Sequence, residues 1–85
     1  MALVIANQTL TGSEVAYTIP ADTHTLYLKA KTGDLTVATE TGGDTWTLEK
    51  AVGENIKLQD PNLGGDILYF DGTGTVQIMY ITSTY

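Results

Sequence analysis

The stretch that most limits what this chain can fold into is 66–81, Asp-Ile-Leu-Tyr-Phe-Asp-Gly-Thr-Gly-Thr-Val-Gln-Ile-Met-Tyr-Ile. Two short apolar runs, rich in β-branched and aromatic residues, flank Asp71-Gly72-Thr73-Gly74. That pattern predicts a β-hairpin closed by a glycine turn. Strand side chains alternate with period two. Ile67 and Tyr69 therefore share one face and Leu68 and Phe70 the other, while Val76, Ile78 and Tyr80 oppose Met79 and Ile81. A strand with one wet face would not be apolar on both sides. Each side needs a cover.

The rest of the chain reads as strands of the same kind. Leu3–Leu10 sets Leu3 and Ile5 against Val4 and Ala6, so it too is apolar on both faces. Val15, Tyr17 and Ile19 alternate inward before Pro20, which supplies no ladder donor, ends the strand. His24–Ala30 puts Leu26, Leu28 and Ala30 on one face and Tyr27 and Lys29 on the other. A second hairpin joins Leu35–Thr39 to Trp46–Leu48 around Thr41-Gly42-Gly43-Asp44, with Leu35, Val37, Trp46 and Leu48 inward. Ile56 and Leu58 face inward on a short strand after Gly53, and the longest loop, 60–65, has Leu63 as its one large apolar residue. About eight short strands at 8–12-residue spacing predict a single all-β domain over residues 1–85: a small antiparallel β-sandwich or a jelly-roll-like barrel.

An 85-residue domain has a thin core, and with no cysteine it has no disulfide to supplement it. Partner subunits are the remaining common source of stability. Ten acidic residues against four lysines and no arginine give a net charge of −6. Nucleic acid and anionic membrane surfaces demand a basic footprint, so neither is an expected partner. The N-terminal Met-Ala-Leu-Val-Ile-Ala lacks the basic flank and length of a signal peptide, which predicts synthesis and folding in a cytoplasm.

Catalytic chemistry has little to build on. His24 is the only histidine, and Ser13 and Ser83 are the only serines, one in a turn and one near the end of the chain. A nucleophile, its base and an orienting group are not suggested by that set. The aspartates sit mostly at turns, where their side chains bond nearby backbone N–H groups. Asp60, Asn62 and Asp66 are the sole calcium candidates, alternating oxygen ligands in a glycine-containing loop. Asp71 stands at the twelfth position counted from Asp60 but lies beyond a strand, and no helices flank the loop, so no metal is expected. Asp71-Gly-Thr-Gly has no helix after it and so lacks the dipole of a phosphate cradle. No enzyme and no cofactor are expected. Among aromatic residues, Tyr27 lies on a polar face and is the candidate platform for stacking a glycan, whereas Trp46 alternates in phase with Leu48 and reads as core.

The surplus apolar faces are covered by self-association, by burial of the strand in a closed barrel or by the loop around Leu63; the small size and lack of disulfides favour self-association, since a large uncovered apolar surface marks an interaction site. The candidate interface residues are Ile67, Leu68, Tyr69, Phe70, Met79 and Ile81. One alternating half belongs to the core and the other to the contact. The series Trp46-Thr-Leu48, Gly53, Ile56-Lys-Leu58, Asn62-Leu-Gly-Gly65, Leu68-Tyr-Phe70, Gly72 and Val76-Gln-Ile78 resembles small β-structured virion proteins of tailed bacteriophages. That family includes capsid decoration (cement) proteins, commonly trimeric, and head–tail or tail accessory subunits. The resemblance implies a non-enzymatic structural subunit located in the virion, homo-oligomeric with a trimer favoured, and bound to other virion proteins. A carbohydrate- or receptor-binding β-module of a phage tail or fibre is the alternative.

Overall fold

The structure, a computed structural model, describes residues 2–50 and 55–83. Eight strands follow in order: β1 (Ala2–Thr9), β2 (Val15–Thr18), β3 (Thr23–Thr32), β4 (Leu35–Ala38), β5 (Thr45–Leu48), β6 (Asn55–Gln59), β7 (Ile67–Gly72) and β8 (Thr75–Thr82). They form two four-stranded antiparallel sheets packed together, ordered β1-β8-β3-β6 and β2-β7-β4-β5. The pairs β1–β8, β2–β7, β3–β6 and β4–β5 nest inside one another. This is one long hairpin rolled up, the strand arrangement of a double-sheet jelly roll. The expected all-β sandwich is the fold.

The expected hairpin at 66–81 is not formed. β7 pairs with β2 and β4 in one sheet, whereas β8 pairs with β1 and β3 in the other. The turn at Asp71–Gly74 reverses the chain by crossing between sheets. Its neighbour, the β1–β2 connection, crosses beside it: the Leu10 N–H donates to the Gly74 carbonyl (2.8 Å) and the Gly12 N–H to the Gly72 carbonyl (2.8 Å). Gly74 lies against the Thr32 carbonyl so closely that a Cβ would collide with it. Glycine is required there by the approach of two backbones. The β4–β5 hairpin does form as expected, with Leu35 opposite Leu48 and Val37 opposite Trp46.

Because the two strands belong to different sheets, their inner faces meet across one core. Leu68 and Phe70 from β7 face Val76 and Ile78 from β8, with Leu26, Leu28, Leu35, Val37, Leu48, Leu10 and Ile19 completing the buried set. Tyr17 tilts against Phe70 with ring centroids 5.6 Å apart, a geometry that aromatic quadrupoles favour over a face-to-face stack. Burial and the neighbouring Tyr80 both push the Tyr17 hydroxyl above its usual pKa of 10.0.

At the far end of the sandwich the 60–66 loop caps the core. Leu63 packs onto it, and the loop is tied to the β2–β3 turn by N–H bonds from Gly64 to the Thr23 carbonyl (3.1 Å) and from Gly65 to the Ile19 carbonyl (2.9 Å). A bulge between Thr23 and Thr25 turns Thr23 inward opposite Thr82, where its hydroxyl is fully buried with no hydrogen-bond partner among the described residues.

Candidate functional site

Alternation that sends Val76, Ile78 and Tyr80 inward sends Met79 and Ile81 outward. The register then lines up rows across the outer face of β1-β8-β3-β6. Leu3 stands opposite Ile81, and Ile81 opposite Thr25; Ile5 stands opposite Met79, Met79 opposite Tyr27, and Tyr27 opposite Lys57. Leu3 and Ile5 are 62 % and 64 % exposed. Ile5, Met79, Tyr27, Gln77 and Lys29 line a shallow hollow of about 350 Å³ on this face. The result is an apolar strip along β1 and β8 that grades into lysines on β3 and β6.

The expected interface set therefore divides by strand and by parity. Met79 and Ile81 lie on this outer face. Ile67, 42 % exposed, and the half-buried Tyr69 lie on the opposite outer face, that of β2-β7-β4-β5. Leu68 and Phe70 are corrected out of the interface set: both are buried in the core, because β7 presents its even-numbered side to the other sheet. Leu3 and Ile5 belong with Met79 and Ile81, and their alternation against Val4 and Ala6 was the signal in the sequence that pointed to them.

Tyr27 sits where its alternation put it, on the outer face, but its ring is not bare. The Lys57 ammonium lies 5.9 Å from the ring centroid. A cation over the ring occupies the surface that a sugar would stack on.

Trp46 is the second correction. Its register opposite Val37 does point it toward the core, but β5 is an edge strand of its sheet, as β6 is of the other. The sheets part along this edge, and the indole remains 66 % exposed. Beneath it runs a cleft of about 590 Å³ lined by Leu28, Val37, Ile56, Leu58 and Leu68, with Asp44, Thr39 and Thr45 also on its walls.

Several of the polar candidates are engaged in hydrogen bonds. Asp60 Oδ1 accepts the N–H of Asn62 at 2.7 Å, the ordinary use of an aspartate in a turn. Among the described residues no three His, Asp or Glu side chains gather in a way that could hold a metal ion, so Asp60, Asn62 and Asp66 are not joined by further acidic ligands. His24 Nδ1 is bonded to the hydroxyl of its neighbour Thr25 at 2.8 Å. The Ser83 backbone N–H and hydroxyl both donate to the Asp22 carbonyl, at 3.0 and 3.3 Å.

Charge is unevenly spread. Strands β1, β3, β6 and β8 contain Lys29, Lys31 and Lys57 and no acidic residue, although the chain as a whole carries ten acids against four lysines. Strands β2, β4, β5 and β7 contain no lysine and one aspartate, Asp71. Asp71 lines a hollow of about 250 Å³ with Asp34, Thr36 and Thr47. No family model, curated protein or solved structure matches this chain.

Proposed function

We propose that this chain is a non-enzymatic structural subunit of a virion, a capsid decoration or stabilising protein that works through oligomeric protein–protein contacts. The observation that carries the reading is the outer face of β1-β8-β3-β6, where Leu3, Ile5, Met79 and Ile81 form one apolar strip. Fully burying a side chain of this size is worth about 1.5–3 kcal/mol relative to leaving it in water. A domain this thin forgoes that stabilisation at Leu3 and Ile5 as a monomer and recovers it in an assembly. The jelly-roll strand order supports the reading, since viral capsid domains use it, as do lectins and cupins. Fold alone does not decide among these. The resemblance of the 46–78 segment to small phage virion proteins is the second support, and it favours a trimer and contacts with other virion proteins. Apolar strands would bury against neighbours, while threonine-rich surfaces and a net charge of −6 keep the free subunit dispersed. Neither nucleic acid, nor a membrane, nor a cofactor enters this reading. The test is particle association. An antibody against the chain should label purified virions of the phage whose genome encodes it. Signal confined to the soluble fraction of the lysate would refute the assignment.

A second reading, a carbohydrate- or receptor-binding β-module of a tail or fibre, is favoured by one observation: Trp46 is exposed over a cleft that has polar groups on its walls. A glycan array separates the two. Binding lost in Trp46→Ala and kept in Tyr27→Ala would favour the module, and silence on the array would favour the structural subunit.

A further inference from the structure

We infer that copies of this chain associate head to tail, the lysine-bearing outer face of β1-β8-β3-β6 on one copy packing against the aspartate-bearing outer face of β2-β7-β4-β5 on the next. This rests on the self-association reading above and specifies its contact.

The charge distribution carries it. The register places Met79, Tyr27 and Lys57 side by side, and Lys29 lines the same hollow as Ile5 and Met79. Any surface that covers the Met79–Tyr27 region therefore approaches both lysines. Among the described residues neither ammonium has a carboxylate partner. A two-fold contact of this face with itself would bring lysines from both copies into one interface containing no acid from β1, β3, β6 or β8. Like charges brought together and stripped of water disfavour that arrangement. The partner surface must instead offer apolar contact together with carboxylates.

The opposite face of the same sandwich offers both. Ile67, Tyr69 and Asp71 share the outward parity of β7, and Ala16 stands opposite Tyr69. Asp71 and Asp34 flank a hollow whose other walls include Thr36 and Thr47. Asp34 Oδ1 accepts the Lys50 backbone N–H at 3.1 Å, which leaves its second oxygen for an incoming ammonium. Size is adequate too. The two longer dimensions of the domain are 36 and 24 Å, a face of the same order as the ~800 Å² per partner that a standard stable interface covers.

A contact between two different patches is heterologous. Each added copy still presents one free face of each kind, so growth does not stop at two; it closes as a ring, such as a trimer, or extends as a stack. The lysine–aspartate component makes the association sensitive to salt.

Native mass spectrometry and sedimentation velocity on four samples test this: the wild type, Ile5→Glu, Asp71→Lys, and an equimolar mixture of the two variants. Both substitutions fall at exposed positions, and circular dichroism checks that each variant is folded; Ile67→Lys replaces Asp71→Lys if it is not. The wild type should form species larger than a dimer that weaken as salt is raised. Each variant alone should be monomeric. The mixture should yield a one-to-one dimer, because each variant keeps the face that the other has lost. Assembly of Asp71→Lys and of Ile67→Lys like the wild type would overturn the inference, as would a mixture that stays monomeric. A wild type that stops at a dimer abolished only by Ile5→Glu overturns the head-to-tail contact and leaves self-association standing. A monomeric wild type removes both.

Discussion

Truncating Phe70 and truncating Ile5 should have very unequal consequences for the monomer, although both residues belong to apolar runs in the sequence. Phe70 is fully buried and packs against Tyr17 at 5.6 Å. Removing a core phenylalanine side chain costs about 3–5 kcal/mol, the lost transfer energy plus the cavity that remains. At about 0.05–0.15 kcal/mol per residue, an 85-residue domain holds roughly 4–13 kcal/mol in all. Phe70→Ala therefore consumes a large share of the stability, and at the bottom of that range, about 4–5 kcal/mol, it unfolds the chain. Ile5 is 64 % exposed, and Ile5→Ala should move monomer stability by no more than ~0.5 kcal/mol. The assay is urea unfolding followed by far-ultraviolet circular dichroism, at a protein concentration low enough for both proteins to be monomeric, so that lost association does not register as lost stability. With a urea slope near 1 kcal/mol per molar for a domain this small, the Phe70 variant should unfold about 3 M or more below the wild type and the Ile5 variant within about 0.5 M of it. Equal shifts, or a Phe70→Ala loss below ~1 kcal/mol, would refute the division of inner and outer faces.

Three further outcomes are expected. Thr23→Val keeps the shape of a fully buried side chain and removes an unpartnered hydroxyl, so it should leave the melting temperature unchanged or raise it by several degrees, as an unsatisfied buried group costs about 1–3 kcal/mol; a clear drop would mean that the hydroxyl is bonded. Trp46 fluorescence should peak near the wavelength of indole in water and be quenched by acrylamide almost as readily as a free indole, because the ring is mostly exposed; a blue-shifted, protected emission would put it back in the core. The Tyr17 hydroxyl has its folded pKa raised, so the stability it contributes is fully present below the unfolded value of 10.0 and is lost as pH rises through the higher folded value. Thermal melts between pH 8 and 11.5 should accordingly fall less steeply for Tyr17→Phe than for the wild type, and parallel curves would contradict the burial of that hydroxyl.

Much of the fold was legible because strand alternation is a local signal. Leu26, Leu28, Leu35, Val37 and Leu48 fall inward as their spacing requires, and the β4–β5 hairpin closes where its glycines predict. What alternation does not encode is which strand lies alongside. The turn at Asp71–Gly74 has the chemistry of a hairpin, yet a reversal of direction is equally served by crossing to the other sheet. That choice was made by the open pairing positions of β1 and β3 on either side of β8, which lie more than forty residues away in the chain. Trp46 is exposed despite its inward parity for a related reason. Parity gives the face a side chain points to, and its distance from the sheet edge decides whether anything covers it. The lysine face could be seen only in part. Lys29 alternates with Leu28, but its grouping with Lys57 and Ile5 needed the strand order β1-β8-β3-β6.

The most direct test of the central claim is the mass of the protein in solution. Sedimentation equilibrium on the wild type at micromolar concentration, beside the double variant Ile5→Ser, Met79→Ser, measures whether the outer face of β1-β8-β3-β6 is used. The expected result is a multiple of 9.1 kDa for the wild type and 9.1 kDa for the folded double variant. A wild type that sediments at 9.1 kDa, or a double variant that stays assembled, would contradict the claim.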